Sequence, residues 1–298
     1  MTAVALPIPH PLKSGAAMLG CGALVAMTTL LAKALGTGII DGTELHPLQI
    51  SAGRFVFAWL ALVPIVAWRR PGFKAVDWRL HTARSVCGWS GVSCMFAAAT
   101  VLPLADATAI SFLSPLITMV LAIPLLGERV GPWRWGAAAV AMIGALLLIR
   151  PGTASFQIMA LVALASAFFM GLEAIFVKRL TSADRPLRIL FVNNTIGAAL
   201  AVSAAAFVWV APTPGQWLTL AAIGLIMVTA QTLFIQALRH ADASFALPFF
   251  YATLVFAAAY DFGVFGVLPG ALTVAGAFLV VGGALVLAWR EARLRRIG

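Results

Sequence analysis

The residues with the clearest capacity for chemistry stand inside long apolar runs of the sequence. They are two cations, an acid and two amides: Lys33, Arg54, Glu173, Asn193 and Asn194. A guanidinium can hold a carboxylate through two parallel hydrogen bonds, and a carboxylate can bind an amine or carry a proton. Because ionisable groups within a membrane cost roughly 2.5–3.5 kcal/mol each on insertion scales, each one needs a partner or a ligand.

Two interpretations stay open for each of these residues. Lys33 stands near the end of its apolar run, so its amine either snorkels to the membrane surface or faces a substrate carboxylate. Arg54 stands deeper, where a substrate carboxylate and a structural ion pair are both good explanations. Glu173 serves either a substrate amine or proton, or a basic residue of the protein. Asn193 and Asn194 either face a cavity or clamp two helices together.

A stripe of polar and aromatic side chains marks the third apolar run. Its members recur at spacings of three and four, which puts them on one helix face: Ser85, Trp89, Ser93, Phe96 and Thr100. The stripe either faces a central cavity, where Trp89 stacks on the substrate, or packs against another helix. The predicted substrate-binding residues are Lys33, Arg54, Trp89, Ser93, Phe96, Glu173, Asn193, Asn194, Gln231 and Tyr251.

Three prolines within the predicted helices weaken backbone hydrogen bonding. Pro115 and Pro124 belong to the fourth span and Pro248 to the ninth. They either let helical hairpins bend as gates or form static kinks.

An enzymatic function has one weak signal. Gly88-Trp89-Ser90-Gly91 spells G-x-S-G, the nucleophile string of rhomboid intramembrane proteases, but none of the four histidines lies in the middle of a later span to act as base. H-E-x-x-H, paired Cys/His spacings and G-x-x-x-x-G-K-[ST] do not occur, so no metal or cofactor is expected. We therefore expect no enzyme. A structural or receptor-like membrane protein is a third possibility.

Composition identifies the class of protein. Of 298 residues, 62% are hydrophobic and 10% are charged, against about 25% charged in soluble domains. The chain is expected to be an all-α integral membrane protein, because period-2 alternation is absent. Ten spans are predicted, at residues 15–35, 47–68, 81–102, 107–126, 133–150, 156–178, 187–210, 216–237, 244–265 and 270–289.

The basic residues predict the orientation. Most of the 20 lysines and arginines fall in connections at one membrane surface, which is expected to be cytoplasmic and to hold both termini. The net charge of +10 is thus topogenic, and no nucleic-acid partner is expected. Asp261, near the outer end of the ninth span, is expected at the membrane interface.

Short sequence echoes predict an internal duplication. Ala105-Asp106-Ala107-Thr108 is answered by Ala241-Asp242-Ala243-Ser244, and Pro47-Leu48-Gln49-Ile50 by Pro186-Leu187-Arg188-Ile189. The breaks at Leu126-Gly127 and Phe265-Gly266 correspond in the same order. The chain is therefore expected to form two five-helix repeats, residues 1–151 and 152–298, the second inverted relative to the first.

Several motifs resemble one superfamily. A-D-A opens the fourth span, S-P lies within it, G-E-R at Gly127–Arg129 closes it, and W-x-G at the fifth span includes Trp135-Gly136. With ten helices in inverted halves, the chain resembles the drug/metabolite transporter superfamily and its EamA-type exporters. That resemblance implies alternating access, a small-molecule substrate between the halves, and export across the bacterial inner membrane.

The expected substrates are amino acids, both neutral and aromatic, because the proposed site combines basic, acidic and amide groups with aromatic walls. The alternative on the same fold is another metabolite class, such as a nucleoside, a sugar or an amine drug. Facilitated diffusion and proton antiport both stay open as energy sources. The expected partners are the substrate and membrane lipid. The oligomeric state stays open, with a monomer favoured.

Overall fold

The computed structural model describes residues 11–72, 76–126, 132–149, 157–181, 184, 186–240 and 249–294. The regular structure in these residues is helical, because a chain in lipid must satisfy its backbone groups internally. The helices are α1 Pro11–Gly36, α2 Pro47–Arg69, α3 Trp78–Val101, α4 Leu104–Ser111, α5 Ser114–Leu126, α6 Pro132–Ile149, α7 Met159–Thr181, α8 Pro186–Ala205, α9 Pro214–His240, α10 Thr253–Phe265 and α11 Ala271–Leu294, with a 3₁₀ turn at Ala206–Val208.

The all-helical membrane architecture is confirmed for the described residues. Six helical segments there are long and apolar enough to cross a membrane: Leu12–Gly36, Pro47–Arg69, Leu104–Leu125, Met159–Val177, Pro186–Val208 and Pro214–Phe234. We call the end of the bundle with the α1–α2 connection the outer end and the end with the α2–α3 connection the inner end.

The predicted fourth span, 107–126, is divided rather than continuous. Helix α4 stops at Ser111 and α5 begins at Ser114, with a turn at Phe112 and Leu113. Pro115 explains the interruption, since it has no N–H to donate to the Ser111 carbonyl four residues earlier. The same chain segment still crosses the bundle, now as two helices joined at a bend.

The predicted break at Phe265 is confirmed as a helix end, and α5 is described as far as Leu126. Helix α10 ends at Phe265, and Gly266 takes a left-handed conformation with φ 68° while its N–H bonds to the Phe262 carbonyl. The G-E-R segment at 127–129 lies outside the described residues. So do residues 241–248, which include Pro248 and the start of the predicted ninth span.

The helices pack in a pattern of matching pairs. Helix α2 packs on α8 and α6 packs on α11, while α1 contacts α9 and α10, and α7 contacts α3 and α5. At the α6–α11 crossing the backbones touch: a Cβ on Gly144 would lie 2.7 Å from the Gly276 carbonyl oxygen. Small residues of this kind allow close helix approach, where lipid supplies no hydrophobic drive.

Candidate functional site

A cavity of about 210 Å³ lies in the middle of the bundle. Eight helices reach it, α1 to α5 from the first part of the chain and α7, α9 and α10 from the second. Its polar wall consists of Arg54 and the hydroxyl residues Thr28, Thr29, Thr108, Ser111, Ser114 and Thr253. Its apolar wall consists of Val25, Val92, Met95, Met170, Met227, Phe96, Phe112 and Phe250. A concave apolar site with a few polar groups is typical of small-molecule binding.

Arg54 is the charged side chain among the described residues that line this cavity. It is 5% exposed, and within the described part of the chain its Nη1 has no hydrogen-bond partner. Its guanidinium carbon lies 4.5 Å from the centre of the Phe55 ring. A buried cation without a bonded anion is costly, so the geometry suits a ligand with a negative group.

Glu173 is paired with a base that the sequence reasoning missed. Arg84 Nη2 lies 3.2 Å from Glu173 Oε1, and Arg84 Nη1 donates to the Ile189 carbonyl at 3.3 Å. Gly88 makes room for the acid, because a Cβ there would lie 3.0 Å from the Glu173 carboxyl. Arg84 is one of the basic residues counted in the cytoplasmic connections by the sequence analysis, although it also falls inside the predicted third span, 81–102. That position was the signal that could have found the pair.

Lys33 and Asp261 form a second buried ion pair. Lys33 Nζ lies 2.5 Å from Asp261 Oδ1, and Asp261 Oδ2 accepts the Leu104 N–H at 2.8 Å. Lys33 is 6% exposed and Asp261 1% exposed, so snorkelling of Lys33 was wrong. The interfacial depth of Asp261 stays a prediction. The attraction between the two charges offsets the free-energy cost of burying them. Lys33 therefore lies in an ion pair beyond the cavity wall, on the outer side.

Some residues of the predicted stripe on α3 line the cavity, and others contact a neighbouring helix. Phe96 lines the cavity, whereas Ser93 donates to Ser51 Oγ on α2 at 3.1 Å. Trp89 packs against the apolar cluster around Phe55, and no partner for its Nε1 lies among the described residues. One face of a helix touches both the cavity and a neighbouring helix here, so spacing alone could not separate the two roles.

The remaining predicted residues lie outside the cavity wall. Asn193 is 4% exposed, with no described partner for Oδ1, and Asn194 donates to the Leu190 carbonyl within its own helix at 2.8 Å. Gln231 is half-buried on α9. Tyr251 packs edge-on against Phe112, with ring centres 5.1 Å apart, and thus supports a cavity residue.

Two of the three predicted gating prolines are described, and both belong to the divided fourth span. Pro115 is the second residue of α5, a position where a helix has no use for the missing N–H, and Pro124 lies inside α5. The bend before Pro115 adjoins the cavity, because Ser111, Phe112 and Ser114 all line it. Their gating role stays a prediction.

An ion cluster at the inner end was not predicted. His81 Nε2 lies 2.8 Å from Asp184 Oδ2, and Arg188 donates to Asp184 Oδ1. Burial raises the pKa of the Asp184 carboxyl, but the hydrogen bonds from His81 and Arg188 outweigh burial and hold that pKa below its usual range. The cluster joins α3 to the connection between α7 and α8.

The one histidine on the same helix as Ser90 lies too far away to act as its general base. His81 lies nine residues earlier on α3, about 13 Å along the helix axis at ~1.5 Å per residue. Its Nε2 contacts Asp184. A serine nucleophile needs its base within hydrogen-bond reach, which this pair does not provide.

An all-helical membrane protein with a polar cavity enclosed by both parts of its chain has the architecture of a small-molecule transporter. The model of the EamA-like transporter family matches residues 14–150 and, a second time, residues 157–289. The chain belongs to this family, which confirms the resemblance found in the sequence motifs.

Curated relatives extend over most of the chain. The S-adenosylmethionine uptake transporter of Rickettsia prowazekii is 26% identical over 84% of this chain and 85% of its own. The pseudopaline exporter CntI of Pseudomonas aeruginosa is 27% identical over 91% and 94%. The riboflavin transporter of Rhizobium johnstonii is 30% identical over 82% and 81%. These names describe transporters of different small molecules, including one for uptake and one for export.

A solved crystal structure shares the fold. It aligns with a TM-score of 0.63 at 22% identity, over 94% of this chain and 99% of the other. The comparisons together establish a membrane transporter with a small-molecule substrate.

Proposed function

We propose that the protein exports amino acids, neutral and aromatic, and related small metabolites across the bacterial inner membrane by alternating access. The observation that carries the proposal is Arg54, a buried guanidinium at the cavity wall whose Nη1 has no described partner. A substrate carboxylate would compensate this charge. The methionine and phenylalanine side chains of the wall suit an apolar side chain of variable shape.

Two inverted repeats, residues 1–151 and 152–298, are supported by the helix packing. If α1, α2, α3, α4–α5 and α6 correspond to α7, α8, α9, α10 and α11, the α1–α9 contact corresponds to α7–α3. The α1–α10 contact likewise corresponds to α7–α5, and the α2–α8 and α6–α11 contacts map onto themselves. The two consecutive family matches agree with the same division.

Alternating access would use ion pairs at both ends of the cavity. Lys33–Asp261 joins α1 to α10 at the outer end, and Arg84–Glu173 joins α3 to α7 on the inner side. Both pairs connect the two halves of the chain. Because each half moves against the other around a central site, each pair would part in one of the two states. The basic connections support a cytoplasmic location for both termini.

The experiment that tests this proposal is radiolabelled L-phenylalanine uptake into proteoliposomes, with unlabelled competitors. The competitors are other neutral amino acids, a sugar, a nucleoside, a polyamine, S-adenosylmethionine and riboflavin. Competition by several neutral amino acids supports the proposal. Flux of riboflavin, S-adenosylmethionine or a sugar with no amino-acid flux, in protein that is monodisperse, would assign another metabolite class and overturn it.

Export and its energy source are tested in the same vesicles. Preloaded substrate is followed outward with and without an imposed pH gradient. A rate that ignores the gradient supports facilitated diffusion, whereas strong acceleration supports proton antiport.

A further inference from the structure

Four residues that line the cavity donate their hydroxyl protons to backbone carbonyls of their own chain segments. Thr28 and Thr29 both donate to the Val25 carbonyl, at 2.8 and 3.1 Å. Ser111 donates to the Thr108 carbonyl at 2.7 Å, and Thr253 donates to the Phe250 carbonyl at 2.6 Å. A hydroxyl has one proton and two lone pairs, so the oxygen of each of these cavity-lining residues keeps the capacity to accept a hydrogen bond.

The four hydroxyls come from three helices, α1, α4 and α10. Helices α1 and α10 approach closely beside the cavity, where a Cβ on Gly22 would lie 2.7 Å from Thr253 Oγ1. Arg54, the charged donor among the described residues that line the cavity, belongs to α2. The polar wall therefore combines one strong donor for an anion with several acceptors that call for a donor.

The carboxylates of Glu173 and Asp261 are both held in ion pairs with basic residues of the protein. Within the described residues, Glu173 is paired with Arg84 and Asp261 with Lys33, and neither acid lines the cavity. A substrate amine thus finds acceptor hydroxyls rather than a carboxylate. This differs from the expectation that Glu173 binds the amine.

We infer that the cavity recognises the amine of its substrate through hydrogen bonds to hydroxyl oxygens of Thr28, Thr29, Ser111 and Thr253, and so requires N–H donors. The inference rests on the proposed function and specifies its substrate class as carboxylates with a primary or secondary amine. A carboxylate with a quaternary ammonium has the same charges but no N–H. It would leave the buried acceptors unsatisfied and bind about tenfold or more weakly.

The test is competition against radiolabelled L-phenylalanine in proteoliposomes. The competitors are L-phenylalanine, its N-methyl derivative, its N,N,N-trimethyl betaine and 3-phenylpropanoate. We expect the first two to compete strongly and the last two at least about tenfold more weakly. Equal competition by the betaine or by 3-phenylpropanoate would overturn the inference.

Variants separate hydrogen bonding from the size of the methyl groups. Thr29→Val and Thr253→Val remove an acceptor at nearly constant volume. Each should weaken competition by phenylalanine several-fold while leaving competition by 3-phenylpropanoate unchanged. Equal weakening of both compounds would show a packing role and overturn the inference. Thr219→Val is the matched control, because its hydroxyl donates to a carbonyl four residues earlier, as that of Thr29 does, and Thr219 does not line the cavity.

The two proposals fail in different ways. If labelled phenylalanine does not enter vesicles that do transport another metabolite, the proposed function fails and the inference falls with it. If phenylalanine enters and the betaine competes equally, only the inference fails. The wild-type competition series decides this even where a variant does not fold.

Discussion

The ammonium of Lys33 and the carboxylate of Asp261 lie 2.5 Å apart and join the two halves of the chain above the cavity. Lys33 lies one helical turn beyond the cavity residue Thr29, and Asp261 also accepts the N–H of Leu104, one turn before the cavity residue Thr108. A buried apolar cluster that includes Leu30, Leu104 and Ala257 lies in the same region. An apolar layer and an ion pair therefore lie on the outer side of the cavity.

Breaking this pair should cost more than removing it. Asp261→Asn leaves the Lys33 ammonium buried without its anion, and we expect a loss of about 3–5 kcal/mol in unfolding free energy. Lys33→Met combined with Asp261→Leu removes both charges and should recover most of that loss. The measurement is thermal unfolding of each purified variant in one detergent.

Transport distinguishes a gate from a structural pair. We expect the double variant to be well folded but to move substrate poorly, since the proposed transport cycle uses this contact to join the two halves at the outer end. Wild-type transport by the double variant would remove the pair from the transport cycle. A single variant as stable as the wild type would contradict the buried geometry itself.

Gly197 is expected to be intolerant of a side chain. A Cβ at this position of α8 would lie 2.5 Å from the ring of Phe55, a residue that is 1% exposed. The same ring makes a cation–π contact with the guanidinium of Arg54. Gly197→Ala should therefore cost about 1–3 kcal/mol and lower transport by displacing both side chains. Gly263→Ala is the matched control on α10, where nothing lies within 4 Å, and should be neutral or slightly stabilising. Equal behaviour of the two variants in thermal unfolding would contradict this prediction.

Much of the fold could be predicted because membrane spans depend on one-dimensional features. Apolar length and the glycine and proline breaks predicted both ends of α2, and the end of α10 at Phe265, to within a residue or two. The bend at Phe112–Leu113 was missed because a proline inside an apolar run looks the same whether the helix kinks or stops. The sequence cannot supply that distinction without the contacts around it.

Much less of the site could be predicted, because partners lie far apart in the chain. Arg54 and Phe96 were identified and do line the cavity. Lys33 and Glu173 were also identified, but their partners stand 228 and 89 positions away, and single-sequence patterns carry no such pairing. The cavity hydroxyls of α1 were missed because threonines in an apolar helix bond to their own backbone and carry no distinctive spacing.

Acid should weaken the inner cluster. The pKa of Asp184 lies below its usual range in the folded protein, so its stabilising effect is complete above about pH 5. That effect is lost as pH falls from the unfolded value of about 4 through the lower folded value. Asp184→Asn should accordingly be less stable than the wild type at pH 7, and the difference should shrink below pH ~4. Unfolding temperatures from pH 3 to 7 test this, with the exposed Glu44→Gln as control; a constant difference would contradict it.

The two buried arginines of the cavity region should respond to substitution with opposite signs. Arg54 has no described hydrogen-bond partner for Nη1, whereas Arg84 holds Glu173 at 3.2 Å. Arg54→Gln removes a buried charge that forms no ion pair within the described residues, so it should raise the unfolding temperature while raising the KM for amino acids about tenfold or more. Arg84→Gln leaves the Glu173 carboxylate without its cation and should lower the unfolding temperature.

Arg54→Lys keeps the charge but loses the two-point hydrogen bond, so its KM should be intermediate. Arg69→Gln, at the exposed end of the same helix, is the control for general effects of losing a cation. A drop in stability for Arg54→Gln would mean that the protein itself compensates Arg54, and the site would then lose its anion-binding role.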